Sequence, residues 1–261
     1  MRVRPAAVAG AFYPAGVDEL RALLRHCFTD SVAPEPDATV PEAIVVPHAG
    51  MVYSGPIAAS AYRRIEPART VIERVVLLGP SHRVPLRGLA LSSADSWQTP
   101  LGLVPLASAA ELLDIGSVHV DDSAHGPEHS LEVQVPFLQT VLDQFELLPL
   151  LVGDADAEQV AEILQVLWSG PETLVVVSSD LSHYHRYDEA VQLDARTAGA
   201  IAALRPDDID LLDACGARPL RGLLHAGRDR HLVAEQLDLR NSGDTVGDKE
   251  RVVGYGAFAL A

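Results

Sequence analysis

Three apolar runs in this chain each lead, within a few residues, to side chains that can bind a metal or carry a proton. The residues that follow these runs are His48, His82, Asp180 and His183. Two histidines and one carboxylate, with open positions opposite, suit non-haem Fe(II), and the same set can hold catalytic zinc. A histidine that is not a ligand can transfer protons near neutral pH. The sequence therefore predicts a metal site with proton carriers beside it.

The apolar runs themselves must bring these side chains together. Their near-continuous Val and Leu composition predicts buried strands at about 43–47, 74–79, 88–92, 146–152, 173–178 and 251–261. Segments of helical period separate the strands. This pattern is typical of an α/β fold with a mainly parallel central sheet flanked by helices on both faces. Ligands bind beyond the carboxyl ends of such strands, so we expect the candidate residues to converge at that edge.

The helical segments and their connections favour a single domain over residues 1–261. Apolar residues recur at helical spacing in segments 17–28, 55–65, 131–145, 157–168 and 188–204. Pro56 stands where a first helical turn tolerates proline, and Pro136 should kink its helix or lie near its start. The proline-rich segment 28–42 leads directly into the first central strand, so we interpret it as a connection within the domain.

An acidic loop and a glycine-containing turn add further candidates. In the loop at 119–132, Glu128 and His129 stand immediately before a helix that must pack on the sheet, so they can point into the crevice. His119 is expected in the solvated part of this loop. The turn at 241–245 carries Asp244, which can act as a carboxylate ligand or only as a turn residue.

The composition excludes several classes of function. The chain has 20 Lys and Arg against 36 Asp and Glu, a formal net charge of −16, so we expect no nucleic-acid partner. No stretch approaches the roughly 18 apolar residues of a membrane span, and the apolar part of the N-terminus is too short for an export signal. The 2 cysteines form no CxxC pair, so no disulfide framework is expected and the cytoplasm is the predicted compartment.

Six blocks of sequence, in chain order from about residue 2 to residue 260, resemble the MEMO family, the proteins similar to the mammalian mediator of receptor-tyrosine-kinase-driven cell motility. The blocks are "RPAAVAGAFYPA", "PHAGMVYSGPIAASAY", "GPSH", "EHSLEVQVPFLQ", "SSDLSHY" and "NSGDTVGDKERVVGYGA". The resemblance implies an α/β domain similar to the class III extradiol dioxygenases, which use non-haem iron to open catechol rings. It also implies that His48 and His82 bind a metal, with Asp180 and His183 as further site residues.

The sequence leaves several candidates for the third metal ligand. Asp244 would complete a set of two histidines and one carboxylate, which suits Fe(II). Thr245, Asp180 and His183 are the alternatives. Zinc and copper also remain open as the metal.

Three functions compete on this site. The favoured one is a dioxygenase-like oxidoreductase acting on a small molecule with vicinal oxygens. In it, His183, oriented by Asp180 or Glu128, takes a substrate proton, and His129 returns one to the oxygen. The second is a non-enzymatic module that binds a small molecule or peptide or carries metal, in a groove that Tyr53, Trp97, Tyr184 and Tyr187 can line. The third is a zinc hydrolase. The sequence sets neither the substrate nor the oligomeric state.

Overall fold

The computed structural model describes residues 1–261 and is organised around a nine-stranded sheet. The strands are β1 (Val3–Arg4), β2 (Ala43–Val46), β3 (Arg74–Pro80), β4 (Leu89–Leu91), β5 (Ser96–Thr99), β6 (Gly102–Pro105), β7 (Val118–Val120), β8 (Glu146–Val152), β9 (Thr173–Ser178), β10 (His183–His185), β11 (Ala234–Asn241) and β12 (Val252–Leu260). The α-helices are α1 (Val17–Thr29), α2 (Met51–Ile65), α3 (Asp122–His125), α4 (Val135–Val141), α5 (Ala157–Leu167), α6 (Tyr187–Ala202) and α7 (Ala217–Asp229). Short 3-10 turns, including 132–134 and 242–244, connect some of them.

The strand order of the large sheet explains how distant residues meet. It runs β10-β12-β2-β9-β3-β8-β4-β7, and β11 pairs with β12. The four central strands β2, β9, β3 and β8 are parallel, whereas β12 and β4 run antiparallel to their inner neighbours. The predicted α/β fold with a central sheet and flanking helices is confirmed. The sheet is parallel at its centre and mixed overall. A separate small sheet contains β1, β5 and β6.

Alternating side chains divide the core into two apolar layers. Successive residues of a strand point to opposite faces. In β3, Val75 and Leu77 lie in the layer packed against α1, α2 and α4, whereas Val76 and Leu78 lie in the layer packed against α5, α6 and α7. Helices therefore cover both faces of the central strands, as their near-continuous apolar composition requires.

Two helix boundaries differ from the sequence prediction for identifiable reasons. The helix predicted from residue 55 begins at Met51, so Pro56 lies in its second turn. Its first amide is satisfied from a distant segment, because Met51 N donates to the Phe12 carbonyl. The segment 131–145 is shorter than predicted: it is a 3-10 turn followed by α4, with Pro136 near the start of α4. The helices α3 and α7 and the strands β1, β5, β6, β7, β10 and β11 were not predicted.

None of the helices combines the length and apolarity that crossing a membrane would require.

Candidate metal centre

Three imidazoles converge at the carboxyl edge of the central strands. One ring nitrogen from each of His48, His82 and His129 lies within 4.8 Å of those of the other two. The ring centroid of His48 lies 5.2 Å from that of His82 and 5.4 Å from that of His129. His82 and His129 are stacked at 4.8 Å. Imidazole is a common ligand for zinc, copper, iron and nickel, so the cluster has the donor chemistry of a transition-metal site.

The parallel centre of the sheet positions two of these histidines. His48 follows β2 and His82 follows β3, and the intervening strand β9 is parallel to both. Their chain ends therefore meet at one edge, as predicted. The third histidine arrives differently, on the loop before α4. The neighbouring Ser130 docks this loop: its hydroxyl donates to the Pro80 carbonyl at 2.8 Å, at the end of β3.

A hydrogen-bond network sets the tautomer of His48. The Ser178 hydroxyl donates its one proton to the Ser130 carbonyl at 2.6 Å and accepts from Gln134 Nε2 at 2.8 Å. It therefore acts as the acceptor for His48 Nδ1, which lies 2.9 Å away. Nδ1 carries the proton and Nε2 is left with a free lone pair. Burial, followed by the neighbouring His82 and His129, holds the pKa of His48 well below its ordinary value, so the ring stays neutral, as a ligand must be.

Glu128 orients the second histidine. Its Oε1 accepts from His82 Nδ1 at 2.9 Å and from the backbone amides of His129 and Ser130, each at 2.9 Å. His82 Nε2 is thereby left free, in the carboxylate–histidine arrangement that tunes metal ligands. Burial acts to raise the pKa of Glu128, but contacts with His129 and His82 outweigh it, so the net pKa lies far below its usual range. His129 Nδ1 lies 3.2 Å from the same oxygen without an aligned hydrogen bond.

The N-terminal segment holds the loop that carries His129, a role that sequence analysis missed. Buried Glu132 accepts from Arg4 Nη1 at 2.6 Å, from the Tyr13 hydroxyl at 2.6 Å, and from two backbone amides of the N-terminal segment. Arg4 also donates to the Glu128 carbonyl at 2.8 Å. The Phe12 ring packs on His129 with centroids 4.4 Å apart. The block that begins "RPAAVAGAFYPA" therefore forms one wall of the site.

Asp180 and His183 lie beside the imidazoles, with partners that differ from those predicted. Asp180 Oδ1 accepts from the His48 amide at 2.7 Å and so fixes the loop after β2. Burial raises the pKa of Asp180, although the His48 amide opposes this shift. His183 is oriented by neither Asp180 nor Glu128. Its Nδ1 donates to the Leu181 carbonyl at 2.8 Å, so in the neutral ring Nε2 carries the lone pair that can accept a proton.

The structure does not bring Asp244 to the imidazoles; the third member of the cluster is His129, which was predicted only as a proton carrier. Asp244 Oδ1 accepts from the Tyr187 hydroxyl at 2.6 Å, and Oδ2 accepts from the Asn241 amide at 2.9 Å. Both oxygens thus accept hydrogen bonds that stabilise the turn before β12, which is the common function of Asp beside Gly. Thr245 likewise bonds within this turn, from its hydroxyl to the Ser242 carbonyl.

Of the aromatic residues predicted to line a groove, Trp97 does not do so. It is 1% exposed and lies under the guanidinium of Arg4, 4.3 Å from the ring centroid. Tyr53 and Tyr184 are exposed. Tyr184 has a positive φ of 63°, a strained conformation for a bulky residue, in the strand β10 that His183 begins.

Cys215 is a site residue that sequence analysis did not identify. Its Sγ lies 3.2 Å from His48 Nε2, the nitrogen left free by the tautomer. Burial and then Asp180 raise the pKa of this thiol. A Cβ on the following Gly216 would lie 2.6 Å from Ser179 Cβ, so only glycine permits this close approach. A cysteine directly before such a glycine, at the start of a helix, is the signal that could have pointed to it.

His125 belongs to the acidic loop but lies outside the metal centre. It is 1% exposed, its Nε2 donates to the Ala90 carbonyl at 2.9 Å, and its Nδ1 has no partner. Burial lowers the pKa of His125 to about 4. Between about pH 6.5 and pH 4, His125 is protonated in the unfolded chain but neutral in the folded chain. The neutral ring therefore contributes stability above pH 6.5 that is lost as the pH falls through about 4.

We expect His125→Gln to flatten the pH dependence of stability in this window. Glutamine can still donate to the Ala90 carbonyl but does not titrate. Urea denaturation from pH 7 to pH 4 should show wild type losing about 3 kcal/mol more than the variant over this range. The exposed His119 provides a matched control, and His119→Gln should run parallel to wild type. Parallel curves for wild type and His125→Gln would contradict the assignment.

Comparison with known proteins decides the family. The model of a family described as "Memo-like protein" matches residues 4–259. The chain belongs to the Memo family. A MEMO1 family protein of Aquifex aeolicus is 37% identical over 273 residues, covering 98% of each chain. Memo-family relatives from Ignicoccus hospitalis, at 36% identity, and Methanosarcina barkeri, at 37%, also match over 98% or more of each chain.

A solved structure supports the fold of this Memo-family chain. The uncharacterised protein JW3007 from Escherichia coli K12 superposes with a TM-score of 0.57 at 14% identity. The match covers 82% of this chain and 98% of that one. At this identity the likeness concerns the fold alone.

Proposed function

We propose that this Memo-family protein is a metal-dependent oxidoreductase of the dioxygenase type, with Fe(II) as its metal. Its substrate would be a small molecule with two neighbouring hydroxyl groups. In the reaction, the ring bond beside these hydroxyls opens, both atoms of dioxygen enter the product, and no external reductant is consumed.

The observation that carries the proposal is the convergence of His48, His82 and His129 with free nitrogens within reach of one ion. The residues present fit a divalent transition metal. Two of the rings have their other nitrogen held by Ser178 or Glu128, which leaves a lone pair available for the metal. Glu128 also supplies a buried negative charge that offsets the charge of a cation. Bound Fe(II) would supply the chemistry that joins dioxygen to the substrate.

The roles of the remaining residues follow from their hydrogen bonds. His183, with Nε2 unprotonated, accepts a proton from a substrate hydroxyl. Asp180 anchors the His48 loop and brings a carboxyl group to the same crevice. Phe12 packs on His129, whose side chain is 13% exposed, and so limits the access of water to that ring. His129 serves here as a ligand, so a separate proton return by His129 is not part of the proposal.

The test is dioxygen uptake by anaerobically prepared protein loaded with Fe(II), in the presence of a panel of catechols. His183→Asn should keep wild-type iron content while turnover falls by about 100-fold or more, because a proton acceptor is lost. His185→Asn, two residues along the same strand, should leave turnover unchanged. If iron-loaded wild type consumes no dioxygen with any catechol, the oxidoreductase proposal fails.

Cys215 favours a second candidate, a zinc hydrolase. Histidine and cysteine together form known zinc sites, and a thiolate suits softer metals than Fe(II) does. The 3.2 Å separation between Cys215 Sγ and His48 Nε2 makes such a set available to this chain. Ester or amide hydrolysis retained with zinc and absent with iron would favour the hydrolase over the oxidoreductase.

A further inference from the structure

Tyr255 lies on β12 directly beside the segment that carries Asp180 and His183. The Leu181 amide donates to the Gly254 carbonyl, and the Gly254 amide donates to the Ser182 carbonyl, each at 2.8 Å. His183 pairs with Val253 in the next register position. These contacts fix the backbone of Tyr255 against the proton-carrying side of the crevice. Its side chain belongs to the apolar layer that contains α2, which begins at the same crevice.

The hydroxyl of Tyr255 has one hydrogen-bond partner in the fold, the Ser242 hydroxyl. The residue is 2% exposed, and its hydroxyl proton has no acceptor in the fold. The Ser242 hydroxyl accepts from the Val253 amide at 3.1 Å, so its own proton is directed to the Tyr255 oxygen. Burial, and then the charge of Asp180, raise the pKa of Tyr255, so the phenol keeps its proton. The buried ring thus keeps, near Asp180, a hydroxyl proton without an acceptor, whereas buried tyrosine hydroxyls ordinarily have one.

We propose that Tyr255 is a substrate-binding residue whose hydroxyl donates a hydrogen bond to an oxygen of the molecule held beside the metal. The inference rests on the proposed function for the site but adds a specificity determinant to it. Substrates with an anionic or strongly polarised oxygen at this position are preferred over those that present a hydrocarbon edge. The apolar flank of the ring provides a wall for an aromatic substrate.

The test uses Tyr255→Phe, which removes one oxygen atom and keeps the ring. Wild type and variant are loaded with Co(II) and titrated with nitrocatechol, which has vicinal oxygens, and separately with benzoate, which has one carboxylate. We expect equal metal content and about tenfold weaker binding of nitrocatechol by the variant, the effect of losing one hydrogen bond to a charged or polarised oxygen. Asp143→Asn, which removes one partner of the surface pair with Arg69 before the start of β8, should bind both probes like wild type.

Thermal unfolding of metal-free protein separates a binding role from a structural one. Tyr255→Phe should shift Tm by less than about 1 °C, because the hydroxyl proton has no protein acceptor and Ser242 keeps its bond from the Val253 amide. Tyr62→Phe removes a buried hydroxyl that donates to Gln134 Oε1 at 3.0 Å, and should lower Tm by about 2 to 4 °C. A comparable loss for Tyr255→Phe would assign its hydroxyl to the fold and overturn the proposal.

The two probes distinguish this inference from the proposed function. Unchanged affinity of Tyr255→Phe for both probes overturns the role of Tyr255 and leaves the oxidoreductase proposal intact. If wild type binds benzoate but not nitrocatechol, and Tyr255→Phe weakens benzoate binding, the vicinal-oxygen substrate fails while the donor role of Tyr255 stands. If metal-loaded wild type binds neither probe, both proposals fail.

Discussion

Replacing His48 with alanine should abolish metal binding while the metal-free protein stays folded. His48 contributes a neutral ring to the cluster, with its Nδ1 held by Ser178 and the lone pair on Nε2. Loss of outer partners of a metal ligand typically costs about 10- to 100-fold in affinity, so loss of the ligand itself should exceed about 100-fold. Metal analysis after anaerobic reconstitution with Fe(II) measures this directly. The metal-induced rise in Tm should disappear with it.

The matched control is His26→Ala, an exposed histidine of α1 that is paired only with Asp30. It should keep wild-type metal content. His82→Ala should behave like His48→Ala, because both rings present nitrogens to the same centre. Wild-type metal content in either site variant would show that the imidazole cluster does not hold the ion.

The third ligand can be identified with the same measurement. His129→Ala and Cys215→Ala remove the two groups that compete for this place, one in the imidazole cluster and one 3.2 Å from His48 Nε2. An all-imidazole site loses Fe(II) in the first variant and keeps it in the second. A mixed site loses zinc or copper affinity most strongly in Cys215→Ala, because thiolate favours softer metals.

The second large effect concerns stability: Glu132→Gln should destabilise the protein by about 3 to 5 kcal/mol. The side chains of Arg4 and Glu132 are 6% and 1% exposed and lie 2.6 Å apart. The substitution leaves Arg4 as a buried charge without its partner. It also turns one acceptor oxygen into an amide donor that faces groups that themselves donate, including the Tyr13 hydroxyl. Chemical denaturation of the metal-free protein measures the loss.

A surface ion pair provides the comparison for this prediction. Arg69 and Asp143 lie 2.7 Å apart, but their side chains are about half exposed. Asp143→Asn should therefore cost less than about 1 kcal/mol, since such pairs are screened by solvent. If Glu132→Gln costs no more than Asp143→Asn, the N-terminal segment is not held by this network. Other contacts of the N-terminal segment would then have to position His129.

The apolar runs and their periodicity were sufficient to predict the α/β fold and the meeting of His48 with His82. Buried parallel strands leave a strong local pattern, since every residue in them must be apolar. The carboxyl ends of parallel strands lie at one edge of the sheet whatever the order of the strands, so this edge can be predicted without knowing that order. Six of the twelve strands and the helices α1, α5 and α6 followed from the same pattern within a few residues.

The makeup of the metal centre depends on contacts between residues far apart in the chain. His129 joins the cluster because Ser130 docks on Pro80 and Phe12 packs behind the ring, and no local spacing encodes these contacts. Cys215 reaches His48 across a glycine turn at the start of α7, a helix that periodicity did not reveal. Asp244, by contrast, is held by its own turn and by Tyr187. A residue's type shows which bonds it can make; only the packed chain determines which partner is within reach.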